Sequence, residues 1–147
     1  MGTTGALLVP HDYASAAAVR HRLCEELRAV GLSSAVLDDA VIIAGELVGN
    51  ALRHARPLPD GGVRVMWDVD GDGILMQVTD GGADTEPRLQ RRRASPGVRP
   101  VAGMALGGRG LAIVESLADA WGVRRQPGGT TVWARLSLRH RGSRLAG

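Results

Sequence analysis

The sequence predicts an α+β fold, a two-layer sandwich in which helices cover one face of a mixed, mostly antiparallel sheet. Two observations lead to this class. Two long segments with helical spacing of apolar residues lie together near the start of the chain, whereas later segments read as strands paired by glycine-rich turns. Helices segregated from antiparallel strands pack on one face of the sheet. The 147 residues suit a single domain, with a core over 7–138 and a disordered tail at 139–147.

The predicted elements are, in chain order, a strand at 6–10, helices at 12–30 and 33–55, strands at 63–69 and 74–79, a helix at 111–118, and strands at 121–125 and 130–138. The first strand is short, apolar and ended by Pro10. In the first helix Asp12 can serve as the N-cap, and Gly31 is a natural C-terminal stop. The second helix opens at Ser33 or Ser34 and ends before the next proline, since the residue ahead of a proline disfavours helical backbone.

The later elements are predicted from alternation and turn chemistry. Residues 63–69 alternate, with four apolar side chains on one face and Arg64, Met66 and Asp68 on the other, and the sequence at 70–73 is a strong hairpin signal before the returning strand. A glycine cluster at 107–110 precedes the third helix, and a turn at 127–129 joins the last two strands. Residues 80–106 show no sustained periodicity, and a stretch of that length in a small domain is usually functional or disordered.

The composition excludes several classes of site. The chain has no lysine, so all 18 basic residues are arginine, and it contains neither a Walker A loop nor a Schiff-base lysine. Its single cysteine excludes an internal disulfide and a cysteine-pair metal site, and its four histidines form no His-Glu-x-x-His pair. Neither a membrane span nor a signal peptide is expected, which favours the cytoplasm. The formal net charge of +3 is weak evidence for nucleic-acid binding.

Two short patterns place carboxylates where they could form a site. Glu46 and Asn50 are four residues apart and therefore share one face of the second helix, where a carboxylate can act as a general base and an amide oxygen suits Mg²⁺. Asp80 follows a strand and precedes two glycines, and an ionised carboxylate accepts hydrogen bonds from a group such as the amine of adenine. A solvated helix face and an ordinary turn would also explain these two patterns.

Two further patterns combine glycines with polar residues. The cluster at 107–110 opens a helix and presents free N–H groups and the positive end of the helix dipole to an anion, with Arg109 as an added charge. A flexible linker is the alternative. Ile113 stands where a dinucleotide-binding G-x-G-x-x-G loop needs its last glycine, so a Rossmann site fits poorly. Thr130 would place a hydroxyl beside a base, although a turn followed by a β-branched strand also explains it.

Taken in order, these patterns resemble the four sequence boxes of the GHKL ATPases, a superfamily that includes gyrase, MutL and histidine kinases. The segments 46–55, 107–123 and 128–136 are similar to the single-domain anti-sigma factor serine kinases of the actinobacterial type. The resemblance covers roughly residues 7–138. It implies a Bergerat-type, histidine kinase-like ATPase fold, which agrees with the predicted order of elements.

The resemblance also implies roles for the matching residues in a Mg-ATP-dependent serine/threonine kinase. Glu46 would polarise the attacking serine hydroxyl or water, and Asn50 would hold Mg²⁺ against the phosphates. Asp80 would bind the adenine amino group with help from Thr130. The remaining residues of the implied ATP/ADP site are Gly82 against the base, Gly108, Arg109 and Gly110 at the phosphates, and a lid over 87–106.

The implied partners are a sigma factor, which such a kinase withholds from RNA polymerase, and a STAS-type anti-anti-sigma protein, which it phosphorylates. Asp84 departs from the wider pattern, which often has a glycine at that position, and the lid carries five arginines that could face phosphates, a partner or solvent. A regulatory module that binds nucleotide or partners without phosphorylating them is therefore the alternative. Nucleic-acid binding is disfavoured because no aromatic residues interleave with the arginines. A homodimer paired through the strand at 6–10 is an alternative that the sequence leaves undecided.

Overall fold

The computed structural model describes residues 2–83 and 108–138 of the chain. Within these residues the elements are β1 Thr3–Pro10, α1 Ala14–Val30, α2 Ser34–His54, β2 Gly62–Val69, β3 Gly73–Asp80, α3 Gly108–Leu117, β4 Ala120–Gln126 and β5 Gly129–Ser137. The five strands form one sheet in the order β1-β2-β3-β5-β4. The α+β class is confirmed, and every pairing of the described strands is antiparallel, so this sheet is more regular than the mixed one predicted. The predicted lid and tail lie outside the described residues.

The predicted cap of α2 is confirmed, whereas that of α1 is wrong by one residue, because the N-cap is Tyr13, which makes no side-chain cap hydrogen bond. Ahead of α1 the Asp12 carboxylate accepts a hydrogen bond from the Ala14 amide at 2.8 Å, and Gly31 ends the helix in the left-handed region at φ 93°. The Ser33 hydroxyl accepts a hydrogen bond from the Val36 amide at 3.3 Å and so caps α2. Among the described residues, no helix is both long and apolar enough to cross a membrane.

The first hairpin of the sheet forms as predicted, whereas β1 is longer than predicted. The Asp70 carboxylate accepts the amides of Asp72 and Gly73 at 2.8 and 2.9 Å, which closes the turn between β2 and β3. These two hydrogen bonds lower the pKa of Asp70. β1 begins three residues earlier than predicted because residues 3–5 continue the antiparallel pairing with β2.

The hydrophobic core lies between the helices and one face of the sheet. Alternate residues of β2 and β3 are buried there, namely Val63, Val65, Trp67, Val69, Ile74, Met76 and Val78. From the helices, Val19, Leu23 and Leu27 of α1 and Ile43, Ala44, Leu47 and Val48 of α2 pack against them. The spacing of two in the strands and of three or four in the helices is what the sequence pattern predicts.

Trp67 fixes how α1 lies on the sheet. Its side chain is only 1% exposed, and its indole N–H donates a hydrogen bond to the Glu26 carboxylate of α1 at 3.1 Å. Arg22 donates to the other oxygen of the same carboxylate at 2.8 Å. Gly5 of β1 pairs with Trp67 across the strands, and a Cβ at Gly5 would overlap the indole ring. The absence of a side chain at Gly5 therefore makes room for the ring.

We expect Gly5→Ala to lower the free energy of unfolding by about 1–3 kcal/mol, because the added methyl group overpacks a buried ring that is held by Glu26. Denaturant unfolding followed by tryptophan fluorescence measures this change. Gly71→Ala is the matched control, since a Cβ at Gly71 meets nothing within 4 Å. Equal unfolding midpoints for the two variants would contradict the expectation.

Candidate functional site

The carboxyl end of β3 meets the start of β5 and the segment that follows α2. Asp80 pairs with Thr130 across β3 and β5, and the two residues are 4% and 9% exposed. After Asp80 the chain turns against Arg56: the Gly81 amide donates to the Arg56 carbonyl at 2.7 Å, and the Arg56 amide donates to the Gly82 carbonyl at 2.9 Å. These bonds fix the turn that carries the buried carboxylate.

Three glycines allow the backbones to approach this closely. A Cβ at Gly81 would overlap the backbone that follows α2, and a Cβ at Gly129 would overlap the carbonyl of Asp80. Gly82 has a φ of 92°, a conformation that residues with a side chain rarely adopt. A Cβ at Gly82 would lie 3.7 Å from the Thr130 hydroxyl oxygen. The surface next to Asp80 is therefore backbone rather than side chain at this point.

The Asp80 carboxylate is buried, and its neighbours offset only part of the cost of ionising it there. Burial raises the pKa of Asp80 to about 6, because removal from water disfavours the charged form. The Gly82 amide, which donates to Asp80 at 2.7 Å, and the positive charges of His11 and Arg56 act in the opposite direction. Above pH 6 the side chain is mainly ionised and can only accept hydrogen bonds. It is therefore suited to a ligand amino group.

The structure places Glu46 and Asn50 on α2, one turn apart and both partly exposed. Leu47, Val48 and Ala51 bury the other side of the same turns in the core, which holds this part of the helix in place. Helical geometry puts residues four apart on one face, so the Glu46 carboxylate and the Asn50 amide lie on the same side of α2. α2 packs against both α3 and β3.

The described part of the glycine cluster, residues 108–110, belongs to α3 rather than preceding it. α3 begins at Gly108, so Gly108, Arg109 and Gly110 make up its first turn, and the predicted start at Leu111 was too late. The amides of the first turn of a helix have no acceptor within that helix and are free to donate to an anion. Val114 anchors α3 in the core with no exposed surface. Gly107, Asp84 and the arginines of the predicted lid lie outside the described residues.

Sequence reasoning missed two residues that adjoin the site, His11 and Arg56. Arg56 holds the turn after β3 through its backbone, which leaves no signal in the side-chain pattern. His11 lies near the start of the chain, between β1 and α1. Its ring nitrogen Nε2 lies 2.9 Å from the carbonyl oxygen of Ala55, the residue before Arg56. Neither residue belongs to a sequence motif, so only the fold reveals them.

The donor set fits a metal that is shared with a ligand better than a metal held by protein alone. Among the described residues, no group of three His, Cys, Asp or Glu side chains could hold a metal ion. Asn50 offers one hard oxygen at a partly exposed position. Mg²⁺ is commonly bound by one or two protein oxygens together with phosphates and water. An ion at Asn50 would therefore need a phosphate ligand beside it.

Comparisons with known proteins give the family and support the fold. A family model described as Histidine kinase-like ATPase domain matches residues 9–136. The fold is similar to the crystal structure of the RsbU and RsbW domains of Rv1364c from Mycobacterium tuberculosis, with a TM-score of 0.66 and 21% identity over 91% of this chain. This chain spans 32% of that longer chain. No curated protein matches the sequence.

Proposed function

Because the chain belongs to the histidine kinase-like ATPase family, we propose that it is an ATP-binding anti-sigma factor kinase. It would withhold a sigma factor and phosphorylate a serine of a STAS-type anti-anti-sigma protein. Family membership implies ATP or ADP as the ligand. The observation that carries the proposal is Asp80, a buried acceptor beside a left-handed glycine and a threonine hydroxyl. The likeness to a structure that contains an RsbW domain supports the anti-sigma branch of the family.

In this proposal Asp80 recognises the base. Its carboxylate accepts a hydrogen bond from the adenine amino group, which replaces part of the hydration lost on burial. The Thr130 hydroxyl is the second polar group at the base, since it lies in the pair directly opposite Asp80. Gly82 supplies a backbone surface without a side chain, which a flat ring can approach.

The phosphates are assigned to the first turn of α3 and to the exposed side of α2. The amides of Gly108, Arg109 and Gly110 would donate to phosphate oxygens, with the positive end of the helix dipole behind them. Asn50 would hold Mg²⁺, which neutralises phosphate charge when bound. Glu46 would accept the proton of the attacking serine hydroxyl as a general base. Transfer would then rest on positioning and charge neutralisation, with no lysine required.

Asn50→Ala is expected to weaken ATP binding in Mg²⁺ by roughly 10-fold and to leave the affinity in EDTA unchanged, because only the metal contact is lost. Calorimetric titration with and without Mg²⁺ measures both values. Asp38→Ala is the matched control, an exposed polar residue of the same helix about 18 Å away along its axis. Loss of affinity in both buffers would contradict the metal role of Asn50.

The kinase activity is tested with a STAS-type protein captured from the native host in the presence of ATP or ADP. Incubation with labelled ATP should yield phosphoserine on that protein. If nucleotide binds and the partner complex forms but no phosphate is transferred, the chain is instead a regulatory module that acts by sequestration. Partner capture that differs between ATP and ADP would support the switch in either case.

A further inference from the structure

His11 lies in the connection between β1 and α1, outside the residues to which a role has been given. Its ring is partly buried, and Nε2 lies 2.9 Å from the Ala55 carbonyl oxygen. A carbonyl oxygen only accepts hydrogen bonds, so Nε2 carries the hydrogen and donates it. The bond ties the start of α1 to the segment that follows α2.

The connection that carries His11 is held on both sides. The Ser15 hydroxyl, on a residue only 4% exposed, donates to the Pro10 carbonyl at 2.7 Å. The Asp12 carboxylate accepts the Ala14 amide at 2.8 Å. The histidine therefore extends from an anchored stretch of backbone, and its hydrogen bond transmits that anchoring to Ala55.

The segment that His11 holds is the one against which the site turn is built. Arg56 follows Ala55 directly and exchanges two backbone hydrogen bonds with Gly81 and Gly82. The Gly82 amide in turn donates to the Asp80 carboxylate at 2.7 Å. Three hydrogen bonds, joined by the Ala55–Arg56 peptide and the backbone of Gly82, thus connect the imidazole to the carboxylate.

His11 also acts on Asp80 through charge. Its positive charge lowers the pKa of Asp80, as does that of Arg56, and both oppose the larger effect of burial. Charged groups on the surrounding elements include Arg125 of β4, which is paired with Thr130, Arg53 and His54 in the last turn of α2, and Asp12 next to the histidine. Loss of the protonated imidazole therefore leaves ionised Asp80 less favoured.

We propose that His11 is a positioning residue of the adenine-nucleotide site, which holds the Asp80–Gly82 turn through its hydrogen bond to the Ala55 carbonyl. The inference rests on the proposed function, since it assigns His11 to the same pocket.

Two variants separate the hydrogen bond from the charge. His11→Gln keeps an N–H donor within similar reach of the Ala55 carbonyl and removes the titratable charge, whereas His11→Ala removes both. His21→Gln is the matched control, an exposed histidine of α1 whose ring lies 3.4 Å from the Glu25 carboxylate. The probe is ADP in EDTA, titrated by calorimetry from about pH 5 to about pH 8.

For the wild type and His21→Gln, ADP affinity should rise with pH as Asp80 ionises near pH 6. His11→Gln should match the wild type at about pH 8, where Asp80 is ionised in both proteins, and its profile should be displaced to higher pH. His11→Ala should bind roughly three- to tenfold more weakly at about pH 8, because the turn loses one hydrogen bond. If His11 acted through its hydrogen bond alone, the pH profile of His11→Gln would not be displaced, because glutamine keeps the N–H donor.

A second readout needs no nucleotide. Carbon-13 NMR of the Asp80 carboxyl group in the ligand-free protein should give a higher pKa in His11→Gln than in the wild type and His21→Gln. An unchanged Asp80 pKa, or a His11→Gln binding profile identical to that of the wild type, overturns the inference. If the wild type binds no ADP, the proposed function fails, and the NMR titration still decides whether His11 acts on the carboxylate.

Discussion

Asp80→Asn is expected to stabilise the nucleotide-free protein at neutral pH while it weakens ATP binding. Burial raises the pKa of Asp80 from 3.8 to about 6, so ionisation costs more in the folded chain than in the unfolded one. Because the carboxyl pKa is raised on folding, the contribution of Asp80 to the free energy of unfolding is most favourable below about pH 4 and is lost as the pH rises to about 6. The neutral amide avoids this loss, which we place at about 1–2 kcal/mol after allowance for screening by solvent.

The effect of Asp80→Asn on binding has the opposite sign. The charged acceptor for the adenine amine is lost, and a hydrogen bond to a charged group contributes about 1.5–3 kcal/mol, so ATP affinity should fall roughly 10- to 100-fold. Denaturant unfolding at about pH 4 and about pH 7.5, with calorimetry at about pH 7.5, measures both effects. The stability gain should appear only at the higher pH.

Asp68→Asn is the control for both measurements, since Asp68 is exposed on the other face of the sheet, where it accepts a hydrogen bond from the Thr4 hydroxyl at 3.1 Å. It should change neither ATP affinity nor the pH dependence of stability. An Asp80→Asn protein that binds ATP as tightly as the wild type would remove the adenine role from Asp80.

Glu46→Gln is expected to reduce phosphoryl transfer to the partner serine by roughly 100- to 10,000-fold, since an amide cannot accept the proton of the attacking hydroxyl. ATP affinity should stay within about twofold of the wild type, because base recognition and the metal ligand are untouched. The helix should also persist, since Leu47 and Val48 on its buried side are unchanged.

The rate of phosphoserine formation from labelled ATP, at a saturating concentration of the STAS-type partner, measures the effect of Glu46→Gln. Asp68→Asn again serves as the control for removal of a carboxylate, because it lies on the face of the sheet away from α2. Wild-type transfer by Glu46→Gln would show that another group takes the proton.

Local signals predicted the elements whose chemistry is contained within a few residues. The Ser33 cap and the Asp70 turn each depend on hydrogen bonds that span two or three positions, so the sequence alone reveals them. The early start of β1 was not predictable in this way. Residues 3–5 carry little apolar pattern and become a strand because β2 offers them partners, with Gly5 placed opposite Trp67.

The candidate site was predictable as a list of residues but not as an arrangement. Asp80 and Thr130 are 50 positions apart, and they meet because β5 rather than β4 lies next to β3 in the sheet. Arg56 acts through its backbone, which hydrogen-bonds to Gly81 and Gly82. His11 acts through a contact between the β1–α1 connection and the segment that follows α2. Such contacts follow from the topology, which short sequence motifs do not encode.

Calorimetric titration of the wild-type protein with ATP and, separately, with GTP in the presence of Mg²⁺ tests the site most directly. We predict that ATP binds and that GTP binds much more weakly, because guanine presents a carbonyl where adenine presents the amine that Asp80 accepts. Asp80→Asn should narrow the difference between the two nucleotides. Failure of ATP to bind, or GTP binding as tight as that of ATP, would contradict the assignment of this pocket to adenine.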